Sequence, residues 1–414
     1  MAQETAGLSL AALLQPELLA DPTELYRRLR EESPVHWDPA LGSFLISRYA
    51  DVHWALQEPR FSSERVMANL ARQPPELHEK LCPVYKSVAR QIMYVDPPAH
   101  ARLRGLLSPA FSSVAVHKWQ PRVERIAEHL LDDAAQRTEF DVISALAYPL
   151  PMNVITDLLG VPRADQAQFK KWSMDFGSFI SAARLKPEQA AAAVAGIEEF
   201  IAYFQDLVRK RRQGAASDDL LSMLLGAEVS GGVLDDEELY TNCVFLLAAG
   251  HETTTNLIGN AVYLLLRHPE ALAQLRREPA LIDSAIEEVL RYETSVRWTS
   301  RILREDVERH GQVLRKGQSA LLLLAAANRD PQRFAEPERF DIGRRDNRHL
   351  GLGFGPHFCL GAALARLEAR VALRGLLQRF PSLQLGAAAP QWIPSVFFRG
   401  LSALPVQAKA PPGG

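Results

Sequence analysis

The chain has 414 residues, 47% of them hydrophobic and 23% charged, with a formal net charge of −2. That near-neutral balance gives no nucleic-acid signature, and the apolar content, undivided by any Gly/Ser-rich or Pro-rich linker, supports one large core. Three cysteines without paired spacing exclude a disulfide framework and point to a reducing compartment, read here as the cytoplasm.

The first residues do not read as a signal peptide: there is no basic leader, Glu4 and Glu17 are acidic, and Pro16 interrupts the short apolar run. No apolar run approaches the ~20 residues needed to span a bilayer, so no membrane anchor is expected. Pro22–Glu31 has a helical pattern, and Val35–Trp37 and Ser43–Ser47 flank a turn with Pro39 and Gly42, as in a hairpin. Ala50–Gln57 returns to helix. Phe61–Met93, broken by Pro74, Pro75 and Pro83, reads as an irregular lid or binding loop. Helices are expected over Ala99–Phe111, Gln120–Gln136, Met152–Leu159, Gln166–Ala183 and Pro187–Arg212, and strands over Arg301–Leu303, Val307–Arg309 and Ser319–Leu324. The pattern is mainly α with small β-sheets, an α+β protein. One domain is expected over residues 1–406, β-rich at about 35–60, 301–324 and 385–406, with a disordered tail at 407–414.

Asp235–Arg267 has no proline and keeps its apolar pattern throughout. As one helix it would be ~50 Å long. Its middle reads Ala248-Ala249-Gly250-His251-Glu252-Thr253-Thr254. An interior glycine costs ~1 kcal/mol relative to alanine and threonine competes for backbone carbonyls, so a local kink would place Glu252 and Thr253 where backbone bonding is loosened. A satisfied polar patch inside a long helix accounts for the same residues. Glu288 and Arg291 share a helix face at i and i+3, a spacing that usually means a solvated pair. In His349–Glu368, Cys359 follows Gly351, Gly353 and Gly355 and precedes a helical run from Leu360 to about Gln378. Glycines allow close backbone approach, and a helix start favours a thiolate. The stretch suits one thiolate offered to something flat and metal-bearing, such as haem iron. A small buried hydrophobe is the other reading of a lone cysteine. Zinc is poorly supported, because Cys82 and Cys243 stand apart in unrelated contexts.

The pattern of Gly353, Gly355, His357, Cys359 and Gly361 closely resembles the cysteine-ligand loop of the cytochrome P450 family. One departure is Leu352, where the family usually carries Phe. Ala249, Gly250, Glu252 and Thr253 match the family's oxygen-activation motif position by position, and Pro337-Glu338-Arg339-Phe340-Asp341 resembles its PERF element. The resemblance runs from about Pro22 to Val406 and is nearest to soluble bacterial members that tailor polyketides and macrolides. It implies the P450 fold, a triangular prism with haem between the long central helix and the cysteine-loop helix. It implies haem b with Cys359 as the iron ligand, His100, Arg104, Arg301 and His357 as propionate partners, and Glu252 and Thr253 as the proton-delivering pair. Glu288, Arg291 and Arg339 would form a buried structural network, with Arg344 a weaker third member.

The implied activity is a monooxygenase that uses O2 to hydroxylate or epoxidise a hydrophobic small molecule. No flavin or dinucleotide fingerprint appears, so NAD(P)H electrons are expected through a ferredoxin reductase and a ferredoxin docking on Arg102, Lys118, Arg122 and Arg366. Substrate contacts are expected from the 61–93 segment, including Met93, and from Phe176, Phe179, Ile180, Phe245, Ala248 and Ala249. Val296, Arg297, Trp298, Val396 and Phe397 should complete the wall, with Arg297 either meeting a polar substrate group or facing solvent. A monomer is expected, with no nucleic-acid partner. A peroxide-driven peroxygenase and a non-catalytic haem sensor are the alternatives; the acid–alcohol pair argues against the first.

Overall fold

The computed structural model describes residues 8–181, 185–214, 219–226 and 234–409. The side chain of Ile180 and the tail residues 410–414 lie outside the described residues. The chain divides into two compact units. One comprises Met1–Phe61, Gln120–Pro151 and Glu252–Gly414, the other Ser62–Trp119 and Met152–His251. The division falls inside the helix Asp236–Arg267, between His251 and Glu252.

In the first unit the expected hairpin forms. Val35–Asp38 pairs antiparallel with Ser43–Ile46, from Val35 opposite Ile46 to Asp38 opposite Ser43. Gly42 closes the turn at φ 57°, where a side chain is disfavoured. The buried Asp38 carboxylate accepts from Ala40 N at 2.9 Å and Leu10 N at 3.0 Å, tying the N-terminal segment to the turn. Ser43–Ile46 then pairs parallel with Ser319–Leu322, which pairs antiparallel with Thr299–Leu303. Phe61–Ser62, where the division between the units falls, forms the sheet's edge.

Period-2 alternation puts Leu45 and Leu321 on one face, among Leu13, Leu29 and Leu323. Phe44, Ile46, Ala320 and Leu322 take the other face, among Val52, Leu56 and Leu350. Both faces are therefore buried, and Leu350 carries the core to the threshold of the cysteine loop. A second sheet has Pro405–Lys409 between Glu139–Asp141 and Ser382–Leu385. Gln407–Lys409, expected in a disordered tail, complete its central strand. Glu139–Asp141 was not expected as a strand, because three residues show no alternation; long-range pairing makes it one.

The second unit is helical. Segment 61–93, expected to be irregular, contains the helices Val66–Leu70 and His78–Val88. Pro83 lies inside the latter and removes one backbone bond. The buried residues Leu81, Val84, Tyr85 and Val88, at helical spacing, outweigh that loss. The helices Gln166–Ser181 and Pro187–Gln213 pack through aromatic rings. Phe169 meets Trp172, Phe200 and Tyr203 edge-on at 5.2, 5.5 and 4.9 Å between centroids. Tyr203 donates its hydroxyl to Asp165 at 2.7 Å and Trp172 its indole N–H to Glu199 at 3.0 Å, so the polar ends of this cluster are satisfied. Among the described residues, no helix is long and apolar enough to cross a membrane.

Phe169 is fully buried at the centre of that cluster. Phe169→Ala is expected to lower the unfolding free energy by about 3–5 kcal/mol, read from denaturant midpoints. A loss below about 1 kcal/mol would contradict the packing described.

Candidate active site

The site begins behind the cysteine loop. The helix Ile282–Tyr292 places Glu288 and Arg291 one turn apart, and both side chains are 0% exposed. The guanidinium donates to the Glu288 carboxylate through Nε and Nη2, at 2.8 Å each, a bidentate geometry. Its remaining donors reach the carbonyls of Asn328 at 3.0 Å, Pro337 at 2.8 Å and Arg339 at 3.1 Å. Glu288 also accepts from Asp341 N at 2.9 Å, Arg344 Nε at 3.2 Å and Asn347 Nδ2 at 3.1 Å. Neither charge is left unpaired, as deep burial requires.

Arg339 is not the third member expected. Its side chain is 62% exposed and pairs with Glu336 at 3.2 Å. The Pro337–Phe340 turn aims its carbonyl inward and its side chain outward. Arg344 takes the place beside Glu288 instead.

From this pair a chain of bonds leads to the cysteine. Asn328, whose carbonyl receives Arg291, donates through Nδ2 to Thr294 Oγ1 at 2.8 Å and accepts Leu350 N on Oδ1 at 2.7 Å. Leu350 O accepts Gly353 N at 2.8 Å, and Leu352 O accepts Cys359 N at 2.9 Å. Gly353 and Gly355 both sit at φ 72°, where any side chain is strained. At Gly351 a Cβ would strike the Leu290 carbonyl, so the loop crosses the end of the Glu288 helix with no room to spare. Gly355–His357 forms a single tight turn, and the following helix, Ala362–Arg379, starts three residues after Cys359. Sequence reasoning missed a second brace here. Glu287 accepts from Arg366 Nε at 2.6 Å and from His349 Nε2 at 3.2 Å, while Gly351 N donates to His349 Nδ1 at 3.1 Å. Burial opposes ionisation of Glu287, but Arg366 and His349 hold its carboxyl at about 2.

Cys359 is half-buried, and Arg366, raised chiefly by its bond to Glu287, would be favoured further by a thiolate there. Cys243, by contrast, is fully enclosed, its thiol pushed up to about 12 by burial. Phe354 and Phe358, five and one residues before Cys359, are 39% and 37% exposed. Among the described residues, no group of three His, Cys, Asp or Glu could hold a metal by itself. One reachable sulfur in an apolar, glycine-built loop therefore fits an iron whose other ligands come from a flat macrocycle. Arg301 is buried on the strand Thr299–Leu303, donating to Thr299 Oγ1 at 3.0 Å and Ser300 O at 2.8 Å.

The helix Asp236–Arg267 is continuous through Glu252 and Thr253. In the first unit, Glu252 is pushed up to about 7 by burial, and its charge in turn raises Tyr148 to about 12, after burial of the phenol itself. In the second unit, a Cβ on Gly250 would meet Ile155 Cγ1 at 3.3 Å. This glycine thus buys close packing of the helix Pro149–Leu158. His251 Nδ1 donates to Leu247 O at 3.1 Å, and burial lowers the ring to about 4, so it is neutral. His100 is buried on the helix Ala99–Leu107, with Arg104 one turn on. Ile92 N donates to Asn242 Oδ1 at 2.9 Å, which seats the Ile92–Tyr94 turn, and so Met93, one turn from Phe245 on the long helix. Phe176 and Phe179 are buried, Phe179 edge-on to Tyr85 at 4.7 Å, and Ala248 is buried too.

The Val296 and Val396 segments do come together. Val296 bridges Phe398, Trp298 donates to Val396 O at 3.0 Å, and Trp298 meets Phe397 edge-on at 4.8 Å. Arg297 departs from expectation. It is only 2% exposed, and its guanidinium turns toward Phe398 O and the Tyr26 hydroxyl, neither to solvent nor to a roomy pocket. The expected basic docking face is also thinner than the residue count suggests. Arg102 is paired with Glu238 and Arg366 with Glu287.

The family model for cytochrome P450 matches residues 68–390. The chain belongs to the cytochrome P450 family. Cytochrome P450 107B1 of Saccharopolyspora erythraea is 40% identical, over 95% of this chain and 98% of its own. The P450 monooxygenase PikC of Streptomyces venezuelae is 39% identical, over 97% and 94%. Among solved structures, the bacillaene polyketide synthase P450 PksS of Bacillus subtilis superposes with a TM-score of 0.86 at 34% identity, covering 96% of this chain and 99% of that one. The chain is thus a P450 monooxygenase with the P450 fold, of a family that uses haem and O2, and polyketide-tailoring types are among its relatives.

Glu288→Ala leaves the buried Arg291 guanidinium without a carboxylate and removes the one beside Arg344. It is expected to cost about 3–5 kcal/mol of unfolding free energy, whereas Arg339→Ala should stay within about 0.5 kcal/mol. Urea unfolding of both variants checks this; equal losses would restore Arg339 to the network.

Proposed function

We propose that this P450 inserts one atom of O2 into a hydrophobic small molecule of the polyketide or macrolide type, by hydroxylation or epoxidation, in the cytoplasm. Haem b is held through Cys359, with His100, Arg104, Arg301 and His357 as the propionate partners. When bound, haem supplies the oxidising chemistry that activates O2. The residues of the chain control position, water and protons. The observation that carries this reading is Glu252, a buried carboxyl near 7 beside Thr253 in the oxygen-activation motif. A group titrating near the working pH both takes up and releases a proton readily. Glu252 would take up a proton from solvent and the Thr253 hydroxyl would hold and orient it at the oxygen-activation motif, where haem would supply the oxidising chemistry. His251, neutral throughout, does not compete as a donor.

The side chains proposed to meet substrate, Met93, Phe176, Phe179, Phe245, Ala248, Val296, Val396 and Phe397, are apolar, which suits a hydrophobic substrate. The polyketide class is supported by PksS, whose own description places it with a polyketide synthase. Electrons come from NAD(P)H through a ferredoxin reductase and a ferredoxin. Arg102, Lys118, Arg122 and Arg366 are the proposed docking cations, of which Arg102 also pairs with Glu238 and Arg366 with Glu287.

Ferredoxin-driven turnover should far exceed peroxide-driven turnover; the reverse order would make the protein a peroxygenase. Thr253→Ala should uncouple NAD(P)H use from product formation, and unchanged coupling would remove Thr253 from the relay.

The pH dependence has a definite sign. The folded-state value of Glu252 lies above its ordinary 4.5, so the proton-bearing form is present below about 7 and lost above it. Product formation should fall as pH rises through about 7. Glu252→Gln should abolish that inflection and slow turnover about 10²-fold or more. By linkage, the stability associated with the neutral carboxyl is full below about 4.5 and lost as pH rises to about 7, so Glu252→Gln should be relatively stabilising in alkali. A wild-type profile flat across pH 6–8 would contradict the assignment.

A further inference from the structure

A small cavity of about 20 Å3 lies in the first unit, lined by Thr23, Tyr26, Glu293, Arg297, Arg329 and Arg399 among others. Two of its three arginines are spent. Arg329 donates to Tyr292 O at 3.0 and 2.7 Å and pairs with Glu338. Arg399 pairs with Glu293 at 2.6 Å, donates to Leu19 O and to Ala20 O at 2.9 Å, and stacks on Trp392. Burial opposes the charge of Glu293, but Arg399, then Arg329 and Arg297, hold it below the ordinary carboxylate range.

Arg297 is different. Nε donates to Phe398 O at 3.2 Å and Nη1 to the Tyr26 hydroxyl at 3.4 Å. Nη2 is buried with no acceptor, and no carboxylate among the described residues forms an ion pair with this side chain. A guanidinium 2% exposed with an unmet donor is costly. Three further features point the same way. The Tyr26 hydroxyl accepts from Arg297, so its own hydrogen remains to donate. The ten-residue helix Thr23–Glu32 begins at the cavity, with its positive dipole end there. The nearby carboxylates are already engaged, Glu293 by Arg399, Glu338 by Arg329, and Asp21 by Thr23 N at 3.0 Å.

We propose that this cavity binds one small monovalent anion of halide size, held by Arg297 Nη2 and the Tyr26 hydroxyl at the start of the Thr23–Glu32 helix. The volume admits one or two water-sized bodies, which excludes phosphate esters and organic substrates. The anion joins three segments distant in sequence: the Thr23–Glu32 helix, the Glu293–Arg297 stretch and Phe397–Arg399. Its role is to stabilise the fold, independent of the oxygen chemistry.

Thermal unfolding of the full-length, haem-loaded protein tests this at constant ionic strength, with sodium chloride or bromide replacing sodium gluconate, whose anion is too large for the cavity. The Tm should rise saturably, by roughly 2–4 °C. Arg297→Met should remove the dependence. If that variant does not fold, the wild-type titration and an anomalous-scattering map of bromide-soaked crystals still decide. A bromide peak beside Arg297 Nη2, together with the saturable shift, supports the site. A Tm indifferent to halide, only water in the cavity, or a bromide peak at soak concentration without the solution shift overturns it.

Discussion

The buried pair of Glu288 and Arg291 is the interaction on which the rest of the first unit depends. Two opposite charges with no exposure survive only if every donor and acceptor finds a partner. Here the partners are backbone groups and side chains from the segments 328–347, so satisfying the pair dictates where those segments lie. Asn328 then passes the constraint to Leu350, and Leu350 to Gly353 and the cysteine. A buried pair of charges thus helps to set the position of the Cys359 sulfur. The brace of His349, Glu287 and Arg366 holds the same loop from the other side, and Arg366 brings a positive charge within reach of the sulfur.

On the oxygen side the governing constraint is burial. Glu252 on the long helix is only partly exposed, and desolvation lifts its carboxyl to about 7. Glu287 shows the opposite outcome under similar enclosure, because cations face it. Two glutamates thirty-five positions apart thus shift in opposite directions through their neighbours, one raised by burial and one held low by the cations that fix a loop. A third, Glu368 on the helix after the cysteine, is fully buried with one oxygen unpartnered, and burial holds it neutral well above the ordinary range.

Much of this was legible in the chain. Gly353, Gly355, His357, Cys359 and Gly361 are close in sequence, and φ values near 72° demand the glycines locally, so spacing alone reveals the loop. The proline-free run 235–267 announced its helix for the same reason. What could not be read depends on which way a turn faces or what packs from afar. Arg339 reads as the partner for Glu288, ahead of Arg344, until the Pro337–Phe340 turn points its side chain outward. Arg297 sits in a stretch whose neighbours Val296 and Trp298 meet Phe398, Val396 and Phe397, yet its own side chain turns to Tyr26, 271 residues away. Gly250 looked like the cause of a kink, and in the structure the missing side chain gives close packing against Ile155. Pro83 looked like a breaker, and four buried apolar neighbours hold the helix around it.

The central claim is that these constraints deliver the Cys359 thiolate to haem iron. The most direct measurement is the carbon monoxide difference spectrum of the reduced, haem-loaded protein. The account predicts absorption at the thiolate-ligated position in the wild type and its loss in Cys359→Ala, with Cys82→Ala and Cys243→Ala unchanged. A wild-type spectrum without the thiolate band, or a band that survives Cys359→Ala, would contradict it.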